Sequence, residues 1–404
     1  MKKIVAILAM MLVSSTITFS GADILLLEDV IKQTRENNPE IRAVQQKYLA
    51  SKEKIIQQRS LPDPSLNAEY DSSFQMNMYG ITQEIPFGKL SLRSKIARNE
   101  SEIVRNNELV VKELEIIARL KETYYSLLLV GKSIEIYREN ADVLRKFIKT
   151  AESKYVVGQG NQMDILRSQI ELSKMLNTIE ILDQEKESTQ ALINVFLNKK
   201  LDEPVGIPVE PEKTELKYSL EELHSLALES RPELKSAKLS VEKNRLEKSA
   251  AKREYLPNFM LSYKRKYDSN TGEYVGHNDM LSVTVPFWFW KQRAGVKETA
   301  FGHEEALAGY KNAENLTYYD LKNVYTKIKT YEKLLNQYKI VIIPGAQQIM
   351  SVSEANYQAN KIDFLYLLDS QRNLLEFRIE YYQYLQEYEK NLAQLEQVVG
   401  LELK

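Results

Sequence analysis

Few side chains in this sequence have the types and spacing that catalysis or metal binding needs. The three histidines, His224, His277 and His303, stand far apart, and there is no cysteine. We find no phosphate-binding loop, nucleophile elbow or redox motif. The sequence therefore predicts no enzyme, no cofactor and no metal site. Without cysteine, it also predicts no disulfide, no thiolate ligand and no lipid-modified N-terminal cysteine.

Four methionines are the remaining side chains with notable ligand chemistry. Met76, Met78, Met260 and Met280 lie in or near short strand-like segments. Thioethers bind soft metal ions, but methionine more often fills gaps in packing. Both interpretations stay open from the sequence.

The elements that position these residues occur twice along the chain. The first copy is predicted at residues 23–200 and the second at residues 218–404, with a proline-containing linker at 201–217. Equivalent residues are 193 apart at Pro39 and Pro232 and 202 apart at Tyr155 and Tyr357, as small loop insertions would produce. Matching segments are Asn38-Pro39-Glu40 and Arg231-Pro232-Glu233, Ile85-Pro86-Phe87 and Val285-Pro286-Phe287, and Tyr155-x-x-Gly158 and Tyr357-x-x-Asn360.

The N-terminus resembles a secretory signal. Residues 1–22 place Lys2 and Lys3 before an apolar run and end in small residues. A membrane anchor is the alternative, but the run is shorter than the roughly 20 residues that span a bilayer. Removing the two lysines takes the formal charge from −1 to −3, so we expect no nucleic-acid partner.

Long helices dominate each copy. The stretch from Leu90 to Val156 has no proline and could extend roughly 100 Å as a helix. Apolar residues recur with a 3.5-residue period, which favours antiparallel coiled-coil packing. Pro344 is expected to break the corresponding helix in the second copy.

Each copy also contains one predicted β-hairpin, at residues 64–87 and 257–287, with alternating apolar and polar side chains. Four strands are too few to close a membrane barrel, and open sheet edges cannot face lipid. If the hairpins enter a membrane, several chains must pool them, and three chains give twelve strands. Packing of the hairpins on a soluble core is the alternative.

The paired motifs make the whole mature chain similar to the TolC-type outer-membrane efflux family. The most specific marks are Tyr155-x-x-Gly158 with Leu166 and Gln169, and Tyr357-x-x-Asn360 with Leu368 and Gln371. The resemblance implies a mainly α fold with two β-hairpins. In it, a homotrimer forms a helical barrel continued by a twelve-stranded outer-membrane β-barrel.

The resemblance also implies two sites at the periplasmic end. Adaptor hairpins would dock on helix–turn–helix tips, and acidic side chains would narrow the channel nearby. Copy two departs from the family pattern at Asn360, where glycine is favoured, and at Tyr366, where an acidic residue is favoured. The implied tip residues are Val157, Gly158, Gln159, Gly160, Asn360 and Lys361. The implied constriction residues are Asp369, Asp363, Tyr366 and Asp164. Plain turn chemistry and ordinary solvated helix charges are the alternatives.

Aromatic residues follow the last predicted strand. Trp288 and Trp290 are expected at the interface between outer-membrane lipid and water, where aromatic belts lie.

The resemblance implies a passive exit duct in the outer membrane of a Gram-negative-type bacterium, extending into the periplasm. It would export small molecules or metal ions delivered by an inner-membrane transporter and a periplasmic adaptor protein. The sequence does not separate metal, drug and protein cargo. A periplasmic coiled-coil scaffold or adaptor without a pore is the alternative.

Overall fold

The described residues are mainly helical and form one four-stranded sheet and a short two-stranded one. A computed structural model describes residues 24–211 and 216–403. The predicted signal peptide, residues 1–22, lies outside the described residues.

The first half begins with two short helices, separated where Asn38 interrupts the helical backbone. The Asn38 side chain accepts hydrogen bonds from the backbone N–H groups of Glu40 (2.9 Å) and Ile41 (3.3 Å). Pro39 occupies the first turn, where no N–H is needed. The elements of this half are β1 (Ile24–Leu25), α1 (Leu27–Asn37), α2 (Pro39–Arg59), β2 (Ser65–Asp71), β3 (Met76–Ile85), α3 (Leu90–Val104), α4 (Val111–Val156) and α5 (Gln162–Leu197).

The second half repeats this order of elements. Its first helix begins with a capping box, in which Ser219 and Glu222 satisfy each other's backbone N–H groups. The elements are β4 (Ile207–Pro208), α6 (Leu220–Ser230), α7 (Pro232–Arg253), β5 (Asn258–Asp268), β6 (Tyr274–Thr284), α8 (Phe289–Gln337), α9 (Ile343–Gln358) and α10 (Phe364–Val399).

The predicted break at Pro344 is wrong. A π-helical turn, Tyr338–Ile342, joins α8 to α9, and the backbone stays in the right-handed helical region at Ile342. A wider π turn removes the need for the i→i−4 hydrogen bond that proline cannot donate. A second π turn, Arg105–Val110, joins α3 to α4. Helices α3 and α4 are therefore joined into one continuous helix, and so are α8 and α9. We call these two long helices the rods.

The π turn at Tyr338–Ile342 also explains a one-residue shift between the copies. Before it, Leu127 corresponds to Ile328, a spacing of 201; after it, Tyr155 corresponds to Tyr357, a spacing of 202. A π turn holds one extra residue without ending the helix. The repeat therefore keeps its helical faces aligned on both sides of the turn.

The core follows the predicted coiled-coil period. Leu120, Leu144, Leu321 and Ile328 are completely buried. Helix α4 lies between α5 and α10, so side chains of both copies meet along it. The interior is a series of clusters along the rods.

The two hairpins form one antiparallel sheet in the order β2-β3-β5-β6. Strands β3 and β5 come from different copies and pair over ten positions, with Gln83 opposite Leu261. Strands β2 and β6 lie at the two ends of the order. The linker is tied to the rods separately, because β4 pairs with β1 and the backbone N–H of Val209 donates to the Tyr124 hydroxyl (2.9 Å).

Candidate functional site

The first helical tip ends α4 with a left-handed residue. Gly158 has φ +72°. Its backbone N–H donates to the Tyr155 carbonyl (3.0 Å), and the N–H of Gln159 donates to the Lys154 carbonyl (2.8 Å). This pair of bonds is a Schellman cap, which favours glycine at the left-handed position. The open space around Gly158 means that backbone conformation, rather than crowding, selects glycine there.

The second tip has the same cap with a different residue. Asn360 has φ +58°. Its N–H donates to the Tyr357 carbonyl (3.1 Å), and the N–H of Lys361 donates to the Asn356 carbonyl (2.9 Å). Asparagine is among the few residues that adopt this conformation at modest cost. The departure from glycine therefore preserves the turn.

Lys154 links the two tips. Its ammonium group donates to the Tyr357 carbonyl and to the Asn360 side-chain oxygen (2.5 Å), and it lies 4.2 Å from the centre of the Tyr357 ring. The Asn360 amide also donates to the Gln159 side chain (3.4 Å). The structure thus brings together predicted tip residues about 200 positions apart. Sequence reasoning missed Lys154, because nothing in its local pattern marks it.

The other predicted tip residues lie at this same end. Val157 is 66% exposed, and Gln159 and Lys361 are exposed as well. Gly160 has a packing reason for lacking a side chain, because a Cβ there would lie 2.9 Å from the backbone nitrogen of Tyr155. The end of the rods therefore presents two similar turns with accessible side chains.

The predicted constriction residues form two groups. Burial raises the pKa of Asp164, the positive charge of Arg167 opposes the rise, and the negative charge of Asp363 adds to it. Asp164 and Asp363 thus interact between the first turns of α5 and α10. Tyr366 and Asp369 lie on an exposed stripe of α10. Their role as a constriction stays a prediction.

The paired motifs differ sharply in burial. In copy two, Tyr357, Leu368 and Gln371 are 6%, 3% and 1% exposed. In copy one, Tyr155 and Leu166 are 49% and 46% exposed. The copy-two residues are covered by α4 of the first copy; for example, the Gln371 amide donates to the Asn140 carbonyl (3.3 Å). Among the described residues, nothing covers the equivalent face of copy one in this way, and Gln169 there is exposed.

One ion pair near the tips was also missed by sequence reasoning. The Arg372 guanidinium donates to both carboxylate oxygens of Glu171, at 3.0 and 2.5 Å. Two parallel bonds of this kind fix the relative position of two side chains. Helices α5 and α10, which close the two tips, are therefore tied together directly.

One face of the sheet is polar. The Asn67 amide donates to the Thr82 hydroxyl (2.6 Å), which donates to the Ser262 hydroxyl (2.9 Å). Lys264 pairs with Glu69 (2.6 Å) on the same face. These side chains join β2, β3 and β5, so polar contacts cross from one hairpin to the other.

The opposite face is apolar and exposed. Leu66, Tyr79, Ile81, Leu261, Tyr263, Leu281 and Val283 are between 45% and 83% exposed. Such a large unburied apolar surface is typical of a face that meets a partner or lipid.

Strands β3 and β5 are in close contact at Gly80. The backbone of β5 comes so close there that a Cβ would lie 2.4 Å from the Tyr263 carbonyl oxygen.

The predicted interface aromatics lie where the sheet joins α8. Trp288 and Trp290 are 63% and 66% exposed, and their rings are 5.0 Å apart. Phe87, after the first hairpin, packs edge-on against Phe259 at 5.9 Å. Both hairpins thus end in exposed aromatic residues, and their membrane role stays a prediction.

No described helix is both long and apolar enough to cross a membrane. Within residues 24–211 and 216–403, no three histidine, aspartate or glutamate side chains are grouped closely enough to hold a metal ion.

Comparison with known proteins shows which sequence family this chain matches and which proteins share its fold. The sequence model described as outer membrane efflux protein matches residues 30–196 and 223–401. The cobalt-zinc-cadmium resistance protein CzcC of Cupriavidus metallidurans is 22% identical over 394 residues, covering 93% of this chain and 90% of the relative.

Solved structures share the fold over nearly the whole chain. The outer-membrane channel OprN matches with a TM-score of 0.78 at 16% identity, covering 93% of this chain and 89% of OprN. CusC matches with 0.78 at 13% identity, covering 93% and 92%. The outer membrane protein VceC of Vibrio cholerae matches with 0.76 at 14% identity, covering 94% and 97%.

Proposed function

This chain belongs to the outer membrane efflux protein family, and we propose that three copies of it form the exit duct of a tripartite efflux system for metal cations. An inner-membrane transporter supplies the energy, a periplasmic adaptor docks on the helical tips, and the duct itself is passive. The proposal rests on two surfaces of the chain that are incomplete on their own, the sheet and a helical surface made of faces on α5 and α9.

The sheet is the first incomplete surface. In the part of the chain that the structure describes, its end strands, β2 and β6, each have a partner strand on one side only. Backbone groups on the open sides need hydrogen-bond partners in lipid. Three copies joined edge to edge supply twelve strands and leave no edge. The apolar face then meets lipid, and the polar face with Lys264 and Glu69 lines water.

The second incomplete surface is helical and more specific, and it consists of one face on α5 of copy one and one face on α9 of copy two. Within the chain, Phe147 of α4 packs against Phe364 of α10, with ring centroids 6.5 Å apart, and both are buried. The equivalent residues, 202 positions away, are Ile349 and Gln162. Ile349 is 60% exposed, and Gln162 is exposed as well. If the internal repeat continues between subunits, Ile349 of one subunit meets Gln162 of the next.

Such a contact joins two different surfaces, so it repeats around a ring until the ring closes. Closure by three subunits brings together six helical pairs, two from each chain. It also satisfies the twelve-strand requirement of the sheet. The single observation that carries the proposal is therefore the exposure of Ile349, where its repeat partner Phe147 is only 4% exposed.

The tips provide the adaptor surface. Gly158 and Asn360 set two matching turns at the end of the rods, and exposed Val157, Gln159 and Lys361 flank them. Threefold symmetry places six such turns around one opening. Two similar turns per subunit fit six adaptor hairpins.

The same symmetry defines the constriction near the tips. Asp369 becomes a ring of three carboxylates, which attracts cations. Asp164 and Asp363, whose charges already interact within one chain, add to the negative potential there. Metal cations are the proposed cargo because the curated relative CzcC is a cobalt-zinc-cadmium resistance protein and because these side chains favour cations.

A pair of engineered cysteines tests the assembly. Gln162→Cys combined with Ile349→Cys should yield covalent trimers in outer membranes treated with a short thiol cross-linker. The chain has no native cysteine, so the background is low. Each single variant should stay uncross-linked. Gln162→Cys with Gln347→Cys is the matched control, because Gln347 corresponds to Arg145, a solvent-facing residue.

Three outcomes contradict the proposal. Cross-linking by a single variant would indicate a two-fold contact instead of a ring. Equal cross-linking of the control pair would indicate random encounter. Monomeric protein in the soluble periplasm would favour a coiled-coil scaffold without a pore.

A further inference from the structure

Four methionines lie on the same face of the sheet, and that face is the polar one. The strand register decides this, because directly opposed residues share a face. Met78 is opposite Glu69 and Lys266, and Met280 is opposite Ser262. Met76 is opposite Asp71 and Asp268, and Met260 is opposite Glu84 and Ser282.

The methionines are apolar side chains on the polar face, whereas the other large apolar side chains lie on the opposite face. Large aliphatic residues such as Leu66, Ile81 and Leu281 occupy the other face. On the polar face, the neighbours of the methionines are carboxylates, hydroxyls and lysines. Met260 and Met280 are 36% and 44% exposed, so they do not fill a gap in the packing of the chain. An apolar, accessible side chain among charges needs another explanation.

The methionines form two pairs at different depths. Met260 and Met280 are diagonal neighbours on adjacent strands, because Met260 is opposite Ser282, two residues from Met280. Diagonal neighbours are roughly 7–8 Å apart at Cα, within reach of long side chains. Met76 and Met78 are alternate residues of β3, nearer the hairpin tip. Four residues, roughly 13 Å, separate the level of Met78 from that of Met280.

Thioethers are also the softest ligands in the chain. There is no cysteine, and His277 is opposite Arg265 on the apolar face. Soft thioether ligands favour monovalent copper and silver over harder cations. Glu69 and Glu84, opposite Met78 and Met260, offset the charge of a bound cation.

We propose that Met76, Met78, Met260 and Met280 form a ladder of low-affinity sites for soft monovalent cations along the inner wall of the barrel. The inference rests on the proposed function, because three subunits turn each pair into a six-thioether ring around one passage. Paired thioethers hold a cation weakly and leave the rest of its coordination to water. Weak, repeated sites suit conduction, since a cation must leave each site as readily as it enters.

Silver binding to the intact oligomer tests the ladder. Ag⁺ in nitrate buffer is the probe, because it is soft and does not change oxidation state. The protein is extracted from outer membranes in detergent, and bound silver is measured by equilibrium dialysis. Met260→Leu with Met280→Leu, and separately Met76→Leu with Met78→Leu, remove sulfur with little change in volume. Each double variant should weaken Ag⁺ binding roughly tenfold at the sites formed by the methionine pair that it removes.

Met175→Leu is the matched control. Met175 is 3% exposed in the helical core, so its replacement should leave Ag⁺ binding unchanged. Unchanged binding in both double variants, or equal loss in Met175→Leu, would overturn the ladder. A variant that no longer assembles is replaced by single substitutions at the same positions, which should each give part of the loss.

The same samples separate this inference from the proposed function. Oligomers that insert into planar bilayers and conduct potassium, but bind Ag⁺ equally with and without the methionines, would overturn the ladder alone. Wild-type protein that neither enters membranes nor conducts would overturn the proposed function and the ladder with it.

Discussion

Replacing Glu389 of α10 by glutamine should remove a pH dependence of the free energy of unfolding that the burial of this carboxyl group causes. Glu389 is 5% exposed, and one of its carboxylate oxygens has no hydrogen-bond partner. Burial raises its pKa to about 7, and a hydrogen bond with Tyr125 and the charge of Lys121 only partly oppose the rise. The folded protein therefore holds a proton that the unfolded chain releases nearer pH 4.5.

The sign of the effect follows from proton linkage. Between pH 4.5 and about 7 the folded state binds more protons than the unfolded state at this site, so stability falls as pH rises. A difference of about 2.5 pKa units corresponds to about 3 kcal/mol. The unfolding entropy of a chain this long is roughly 0.8 kcal/mol/K. The wild-type Tm should therefore fall by roughly 4 °C relative to Glu389→Gln across this window.

Thermal unfolding followed by intrinsic fluorescence in detergent measures this difference at pH 4.5 and pH 8. Comparing the two pH values cancels any constant cost of the substituted amide. Glu387→Gln, two residues away and with its side chain 40% exposed, is the matched control and should track the wild type. Parallel Tm curves for wild type and Glu389→Gln would contradict this prediction, because they would mean that the Glu389 pKa is the same in the folded and the unfolded protein.

Three further substitutions probe the proposed duct. Gly158→Pro should abolish efflux but leave the oligomer in the membrane, since proline cannot adopt the observed φ of +72°; Gly131→Ala, in open space on α4, should be silent in the same export assay. Gly80→Val should prevent membrane assembly, because even a Cβ collides with β5; normal oligomer yield would contradict the sheet. Lys154→Met should raise single-channel conductance, because it removes the charged hydrogen bond to Asn360, which contributes roughly 1.5–3 kcal/mol. Unchanged conductance would mean that this contact does not hold the tips closed.

Local patterns were sufficient to predict the helical rods. The 3.5-residue period places Leu120 on the apolar face of α4 and Ile328 on the apolar face of α8, and both are completely buried. Burial follows because the same period on neighbouring helices aligns their apolar stripes. The turn at Asn360 was implied by the family resemblance, and asparagine is one of the few residues that tolerate its left-handed conformation.

Contacts between residues far apart in the sequence could not be predicted from local patterns. The pairing of β3 with β5 joins residues about 180 positions apart, such as Thr82 and Ser262. Nothing in either hairpin alone specifies that neighbour. The effect of Pro344 was mispredicted for a different reason, because a π turn absorbs the missing hydrogen bond without ending the helix.

The unequal burial of the two motifs was equally hidden. Tyr155 and Tyr357 occupy equivalent positions of the repeat, yet one is exposed and the other is buried. The proposed assembly accounts for this difference, because a neighbouring subunit would cover the copy-one residues that the described chain leaves exposed. The sequence records the repeat, but only the packing reveals which copy lacks its cover.

We expect the chain to complete its sheet and its helical faces by joining two further copies in the outer membrane. Light scattering of protein extracted with detergent from purified outer membranes measures this directly. We predict a mass of three subunits after correction for detergent. A single subunit recovered from the soluble periplasm would contradict the trimeric assembly.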